Sequence, residues 1–340
     1  MTSRRPTLRA ALFGLGMMGR NHARVLRSLD GVDLVAVCDP CGDPLGVAGG
    51  VPVEVSPERV LDRDLDLAVV ATPTDEHVRL ALMLAEAGVA TLIEKPLAID
   101  LASARMVVDA FRREGVLAAV GHVERCNPSI RALRSRLEAG ELGELYQVAT
   151  SRQGPFPDRV RDVGVIKDLA THDLDLVEWV TGSRFTSVSA RVAHRAGRPF
   201  EDLVVISGSL MTGVVATSQV NWLSPMKERR VTVLGERGCF VADTLTADLT
   251  FAANGVIRSE WEAISKFRGV AEGDVIRYAI PKPEPLLVEL EAFRDAVLGK
   301  SDPSMPIADG LRVLAVADAV VASAGASGAP VVPEEVEQCV

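Results

Sequence analysis

Apolar and polar positions alternate along the first third of the chain in two rhythms. Short apolar runs occupy residues 8–13, 32–38, 65–71, 89–93 and 116–120. Between them lie longer stretches with helical spacing, at 20–29, 75–87 and 100–114. The segment 41–55, CGDPLGVAGGVPVEV, is rich in glycine and proline, so the crossover helix there is expected to be short or poorly formed. Strands and helices alternating at this length predict a parallel sheet wound on both faces, over residues 1–121. The rhythm changes after Gly121. Helices are predicted at 128–139 and 165–180, a strand at 145–151, and an arginine- and proline-rich loop at 152–162. From 185 to about 259 the chain runs in short alternating stretches with many β-branched residues and Gly and Asn punctuation, which predicts an antiparallel sheet. Helices at 285–298 and 309–324 close a second, α+β domain spanning 122–340, and the tail from 331 looks loosely held.

Composition narrows the partners. With 340 residues, 48% of them hydrophobic, the chain can build two cores. Lys+Arg 37 against Asp+Glu 46 gives a net charge of −9. That balance does not suit nucleic acid or an anionic membrane, and suits a cationic small substrate. No apolar run reaches membrane length, and the N-terminal segment has no signal core. Five cysteines show no disulfide framework, so a reducing cytoplasm is the expected compartment. Cys38 and Cys41 have C-x-x-C spacing, but no second cysteine pair completes a metal site.

The first strand runs into Gly14-Leu15-Gly16-Met17-Met18-Gly19 and then into a helix. Gly14 permits the tight turn, Gly16 lets backbone approach a pyrophosphate, and Gly19 lets helix pack on strand. The helix start then faces the anion with its N–H groups and dipole. Asp39 ends the second strand with no arginine after it, which predicts a ribose contact and NAD over NADP. Ligands sit beyond the carboxyl ends of parallel strands. The cofactor site is therefore expected to comprise Gly14, Gly16, Met17, Met18, Gly19, Asp39, Thr72, Pro73, His77, Glu94, Lys95 and Pro96.

Two places carry candidate chemistry. Lys95 lies between Glu94 and Pro96 at a strand end, where it reaches over the sheet toward a cofactor; the bland alternative is a solvated loop lysine. In the stretch from Lys167 to Asp175, Asp168 and His172 are spaced i, i+4 and share a helix face. A carboxylate one turn from an imidazole can orient it as a base. Here the bland alternative is an amphipathic helix with a surface histidine. With one histidine in the cluster, no metal is expected.

GLGMMG, Asp39, EKPL (Glu94 to Leu97) and DLATHDLD (Asp168 to Asp175), in this order, resemble the glucose–fructose oxidoreductase, inositol dehydrogenase and rhizopine catabolism (Gfo/Idh/MocA) family. The resemblance covers nearly the whole chain. It implies a Rossmann domain followed by an open-faced, mostly antiparallel sheet domain, with dimers or tetramers formed through that sheet. It also implies Lys95, Asp168 and His172 as the catalytic group, acting in a cleft between domains. Residues 121–133, 151–165 and 221–235 are similar to a subgroup that oxidises the 3-hydroxyl of amino sugars, on UDP-N-acetylglucosamine or on aminoglycosides ahead of amination. Lys167 and Cys126 depart from that subgroup. The expected substrate site is His122, Arg125, Arg152, Lys167, Asp168 and His172. Arg152, Arg159 and Arg161 would clamp a pyrophosphate. Glu124, Asp158, Asp162, Asp173 and Asp175, with the net charge, tip the expectation toward an aminoglycoside, oxidised at the 3″ position. A rival reading is an NAD(H)- or sugar-binding sensor that does not turn over.

Overall fold

The computed structural model describes residues 7–157, 163–255 and 271–336. Strands β1 (Leu8–Phe13), β2 (Val32–Cys38), β3 (Val53–Glu54), β4 (Leu67–Val70), β5 (Ala90–Glu94) and β6 (Ala118–Gly121) form one sheet in the order β3-β2-β1-β4-β5-β6. Every pairing in it is parallel. Both faces are covered, so the strands are apolar without alternation; all four residues of β4 are buried. Helices α1 (Met17–Leu26), α2 (Pro57–Leu61), α3 (Thr74–Glu86) and α4 (Leu101–Glu114) make the crossovers. The glycine-rich segment before α2 leaves that helix only five residues. By contrast α4 has both end signals: the Asp100 side chain accepts from Ser103 N–H at 2.8 Å, and Gly115 closes it at φ 65°. The strand order reverses between β1 and β4, and a ligand crevice belongs at that switch point.

In the second unit α5 (Pro128–Glu138) is capped by Asn127. Strand β7 (Leu145–Pro155) follows, then a π-helical turn at Ile166–Ala170 that continues as α6 (Thr171–Thr181). Strands β8 (Phe185–Ala193), β9 (Leu203–Leu210), β10 (Val215–Asn221), β11 (Leu223–Gly235), β12 (Gly238–Asp243), β13 (Asp248–Gly255) and β14 (Ala271–Tyr278) complete a sheet ordered β14-β13-β12-β11-β7-β10-β9-β8. It is antiparallel except for β7 and β10, which run parallel in its middle. Side chains alternate in and out: Val148, Thr150 and Arg152 of β7 are buried, and α5 and α6 pack on that face. Tyr146, Val205, Val215 and Leu234 are exposed.

The last two helices, α7 (Pro285–Val297) and α8 (Ile307–Gly325), correct the expected domain limits of 1–121 and 122–340. One compact unit joins the described residues up to Val123 with Glu284–Leu314; the other joins those of Glu124–Pro283 with Ala315–Glu335. The physical reason is the apolar stripe of α7. Leu286, Leu290 and Phe293 bury against α1 and the sheet face formed with Leu12, Leu34 and Val37.

Candidate active site

Each unit holds one part of the candidate machinery. In the first unit the three glycines have three different reasons. Gly14 sits at φ +95°, and a Cβ there would lie 2.6 Å from the Ala71 carbonyl oxygen. A Cβ on Gly19 would lie 2.0 Å from the Gly14 carbonyl oxygen, so α1 can start so close to the turn only without one. A Cβ on Gly16 would meet nothing within 4 Å; the space beside it is open. Gly16 is the N-cap of α1 and offers no side chain to its first N–H groups. Met17 and Met18 open the helix, Met17 largely exposed. Asp39 accepts from the N–H groups of Leu15 at 2.7 Å and Cys41 at 2.8 Å, tying the end of β2 to the glycine turn. A carboxylate has about four lone-pair sites, so capacity for ribose hydroxyls remains. Across the switch point Thr72 has a buried hydroxyl without a partner, and Pro73 precedes α3. Open space at Gly16, uncapped N–H groups and an orphan hydroxyl fit a dinucleotide.

Two of the expected cofactor contacts, His77 and Glu94, make inward contacts of their own. His77 is buried, its Nδ1 3.0 Å from the Pro96 carbonyl oxygen and its Nε2 3.0 Å from that of Thr72. It packs between two strand ends, and the one nitrogen that carries the proton donates to its carbonyl oxygen. Burial holds its pKa below the ordinary histidine value despite those two carbonyls. Glu94 turns inward as well: its Oε1 bonds His22 Nε2 at 2.8 Å, and its Oε2 accepts from the Lys95 N–H at 3.2 Å. Burial works to raise the Glu94 pKa, but His22 and the charge of Lys95 outweigh it and hold it low. Lys95 thus stands half-buried beside a carboxylate, at the end of β5. His122 is buried just past the end of β6.

In the second unit Asp168 lies in the π turn and His172 in the first turn of α6. The predicted uninterrupted helix at 165–180 is therefore two kinds of helix. A π turn bonds i to i+5, so four residues bring the chain nearly round and keep Asp168 and His172 on one side. The turn is anchored by Glu201, which sequence reasoning missed. Its carbonyl accepts from Val165 N–H at 3.0 Å and its carboxylate from Ile166 N–H at 3.0 Å. Gly164 makes room: a Cβ there would lie 2.0 Å from the Glu201 carboxylate. Lys167 is 3.6 Å from Asp318 in an ion pair.

The expected substrate arginines Arg152 and Arg125 are both paired with carboxylates. Arg152 is buried and spent on two carboxylates, with Nε 2.8 Å from Asp173 and Nη1 2.8 Å from Glu124. Arg125 is buried against Asp175, with Nε at 2.9 Å. Burial pushes Asp173 above the usual aspartate value and Arg152 only partly offsets this; Arg152 itself is held above its ordinary value by its two acids despite burial. These pairs hold α6 at Asp173 and Asp175, just after His172, and leave neither Arg152 nor Arg125 to grip a pyrophosphate. They also consume Glu124, Asp173 and Asp175, the acids expected to attract a polycation. Asp158, Arg159, Arg161 and Asp162 lie outside the described residues. Arg229 on β11 went unassigned in the sequence, yet it feels the charges of both Asp173 and Asp168. Among the described residues no three metal-ligating side chains gather, and no helix is long and apolar enough to cross a membrane.

Comparison with known proteins adds family models over both units. Residues 8–122 match an oxidoreductase family model described as an NAD-binding Rossmann fold, and 130–241 match a GFO/IDH/MocA C-terminal domain. The chain is 33% identical to the myo-inositol dehydrogenase Hyg17 of Streptomyces leeuwenhoekii, over 67% of this chain and 74% of that one. It is 28% identical to the UDP-N-acetylglucosamine 3-dehydrogenase of Acidithiobacillus ferrooxidans, over 91% and 95% of the two chains. A solved structure of that enzyme superposes with a TM-score of 0.81 over 94% of this chain and 98% of its own. GenD2 from gentamicin A biosynthesis, solved in complex with NAD, is 25% identical with a TM-score of 0.80 and 98% of each chain covered. Two inositol 2-dehydrogenases, of Saccharopolyspora erythraea and Bacillus subtilis, are spanned over 66% and 56% of their length, less than two thirds.

Proposed function

The chain belongs to the Gfo/Idh/MocA family of NAD-binding oxidoreductases, and from that premise we propose that it oxidises a secondary ring hydroxyl, at C3 of an amino sugar, to a ketone. The observation that supports the amino sugar is a pair of full-length likenesses, to the UDP-N-acetylglucosamine 3-dehydrogenase over 95% of its chain at 28% identity and to GenD2 over 98% at 25%. An inositol 2-dehydrogenase of Rhizobium meliloti is followed as fully, over 97% of its chain at 26% identity, so the substrate test below includes a cyclitol.

NAD, held by its pyrophosphate at the glycine turn from Gly14 to Gly19 and by its ribose at Asp39, would supply the hydride acceptor. The rest falls to the chain. In this reading His172 takes the hydroxyl proton as general base, a contribution of roughly 10²–10⁴ in rate. Lys95 donates to the same oxygen as negative charge develops on it. Asp168 orients His172 and takes a neighbouring hydroxyl or amine. The uncovered face with Val205, Val215 and Leu234 supports pairing of copies through the sheet.

A second reading is a cyclitol substrate, favoured by the 33% identity to Hyg17. The test is NADH formation with UDP-N-acetylglucosamine, pseudotrisaccharide aminoglycosides and myo-inositol side by side. Turnover of an amino sugar with a 3-keto product is the expected result. Turnover of myo-inositol alone replaces the amino sugar, and NAD binding without turnover of any sugar replaces the enzyme by a sensor.

A further inference from the structure

Arg229 is an arginine in the wrong company. In the register of β11 and β7 it stands directly opposite Arg152, so both guanidinium groups rise from the same face of the sheet. Like charges in that relation repel unless each has a counter-charge. Arg152 has two, Glu124 and Asp173, at 2.8 Å each. Among the described residues Arg229 has none within ion-pair distance. Its contacts are the carbonyl oxygens of Gln153 at 2.7 Å and Glu228 at 2.8 Å, both accepting from Nη1. Nε and Nη2 donate to no described residue.

The inward row of β7 runs Val148, Thr150, Arg152, Gly154, so the position after Arg152 on that face carries no side chain to compete for Arg229. A Cβ on Gly154 would lie in ordinary contact with Lys227, at 3.7 Å from Cγ and 3.8 Å from Cα, and 4.0 Å from Arg229 Nη1. Arg229 is also half-buried. Burial, then the charge of Arg152, pull its proton affinity below the ordinary arginine value, while Asp173, Glu124 and Asp168 pull the other way. Arginine keeps its charge regardless, so a half-buried cation with no ion-pair partner among the described residues costs the fold solvation. A guanidinium with one nitrogen pinned to backbone and the other two aimed elsewhere has the fork geometry that grips an oxyanion with two parallel bonds.

We infer that Arg229 binds an oxyanion of the substrate, the diphosphate of a nucleoside diphosphate sugar, and so takes the part that Arg152 cannot play. The inference rests on the reading of the chain as an amino-sugar dehydrogenase and names its substrate class. The charge of Asp168 reaches Arg229, so the oxyanion sits near the carboxylate assigned to the sugar ring. A polycationic aminoglycoside would face an unpaired guanidinium there.

The test begins with binding, which needs no turnover. The NAD-loaded enzyme is titrated with UDP, with inorganic pyrophosphate and with D-glucuronate, whose carboxylate is the other source of an oxyanion. The same titrations follow on Arg229→Lys and Arg229→Gln, with melting temperature and NAD affinity as checks on the fold. UDP should bind the wild type, and Arg229→Gln should weaken it about 10–100-fold, the worth of a charge-assisted bond. Arg229→Lys, keeping charge without the fork, should fall between. With UDP-N-acetylglucosamine the loss should appear in KM and leave kcat within about threefold, as expected for binding shared by ground and transition states. Dependence on Arg229 for glucuronate alone would move the oxyanion to a sugar acid. The inference is overturned if wild type binds neither anion, if Arg229→Gln binds UDP as wild type does, or if an aminoglycoside is turned over and UDP-sugars are not. Absence of any NADH with every sugar would sink the dehydrogenase reading instead, and leaves the UDP titration to judge Arg229.

Discussion

The glycine turn makes a paired prediction, because two of its glycines are needed for different things. In Gly19→Ala the new methyl would stand 2.0 Å from the Gly14 carbonyl oxygen, about 1.4 Å inside the ordinary contact distance of 3.4 Å. The obstacle is backbone, so no side chain can step aside; α1 must lift off the turn. Overpacking of this kind costs typically about 1–3 kcal/mol, occasionally more. In a unit of this size each kcal/mol is about 2–4 °C in Tm. In Gly16→Ala the new methyl meets nothing, so folding should be untouched, but it takes the space through which a pyrophosphate approaches the helix start. The assay is a thermal melt without cofactor, followed by calorimetric titration with NAD. Gly19→Ala should melt several degrees below wild type and bind NAD weakly. Gly16→Ala should melt within about a degree of wild type and still lose at least about tenfold in NAD affinity, about 1.4 kcal/mol. A Gly16→Ala enzyme that binds NAD as wild type does would refute the cradle, and a Gly19→Ala enzyme with unchanged Tm would refute the packing argument.

Three further outcomes are expected. Lys95→Ala and His172→Ala should each lower kcat by about 10²–10⁴ with NAD affinity held within a few-fold; stopped-flow NADH formation checks it, and a variant that keeps more than a tenth of wild-type kcat removes that residue from the proposed chemistry. Arg152→Ala should destabilise by about 3–5 kcal/mol in urea, because it strands the buried Asp173 carboxylate and the partly buried Glu124; a loss below about 1 kcal/mol would mean the pair is not desolvated. Glu289 on α7 is fully buried with both carboxyl oxygens unpartnered, and burial with the charge of Glu94 pushes its pKa well above the usual glutamate value. The unfolded chain then releases this proton near pH 4.5 while the folded chain keeps it. Stability should therefore fall as pH rises above about 4.5, by up to about 1.4 kcal/mol per unit until the folded pKa is reached. Glu289→Gln lacks this term, so its stability relative to wild type should rise between pH 5 and pH 7 in urea melts; a constant difference would show Glu289 ionised in the folded state.

Local pattern carried much of this molecule. The turn from Gly14 to Gly19, the acid at Asp39 and the strand ends at Thr72 and Lys95 are read from neighbouring residues, and the parallel sheet that positions them has the order such a pattern implies. What was hidden depended on partners far away in the chain. Whether Arg152 is a free clamp or a buried ion depends on Asp173, 21 residues on, and Glu124, 28 residues back. One signal was available: Arg152 lies two and four places from Thr150 and Val148, and the period of a strand puts all three on the covered face. The π turn at Ile166–Ala170 has no such signal, since its anchor, Glu201, lies 35 residues beyond Ile166. Nor does the apolar stripe of α7 say which of two sheets it will cover.

That helix bears on how the protein is made. The nucleotide-binding unit is left at Val123 and re-entered at Glu284, 161 residues later. At about 5–20 residues per second, a ribosome needs roughly 8–30 s to cross that gap. Throughout it, the sheet face that Leu286, Leu290 and Phe293 will cover is bare. The unit that comes first in the gene therefore waits for a segment made only after most of the second, and a fragment ending near residue 123 would carry an open core rather than a portable cofactor-binding module.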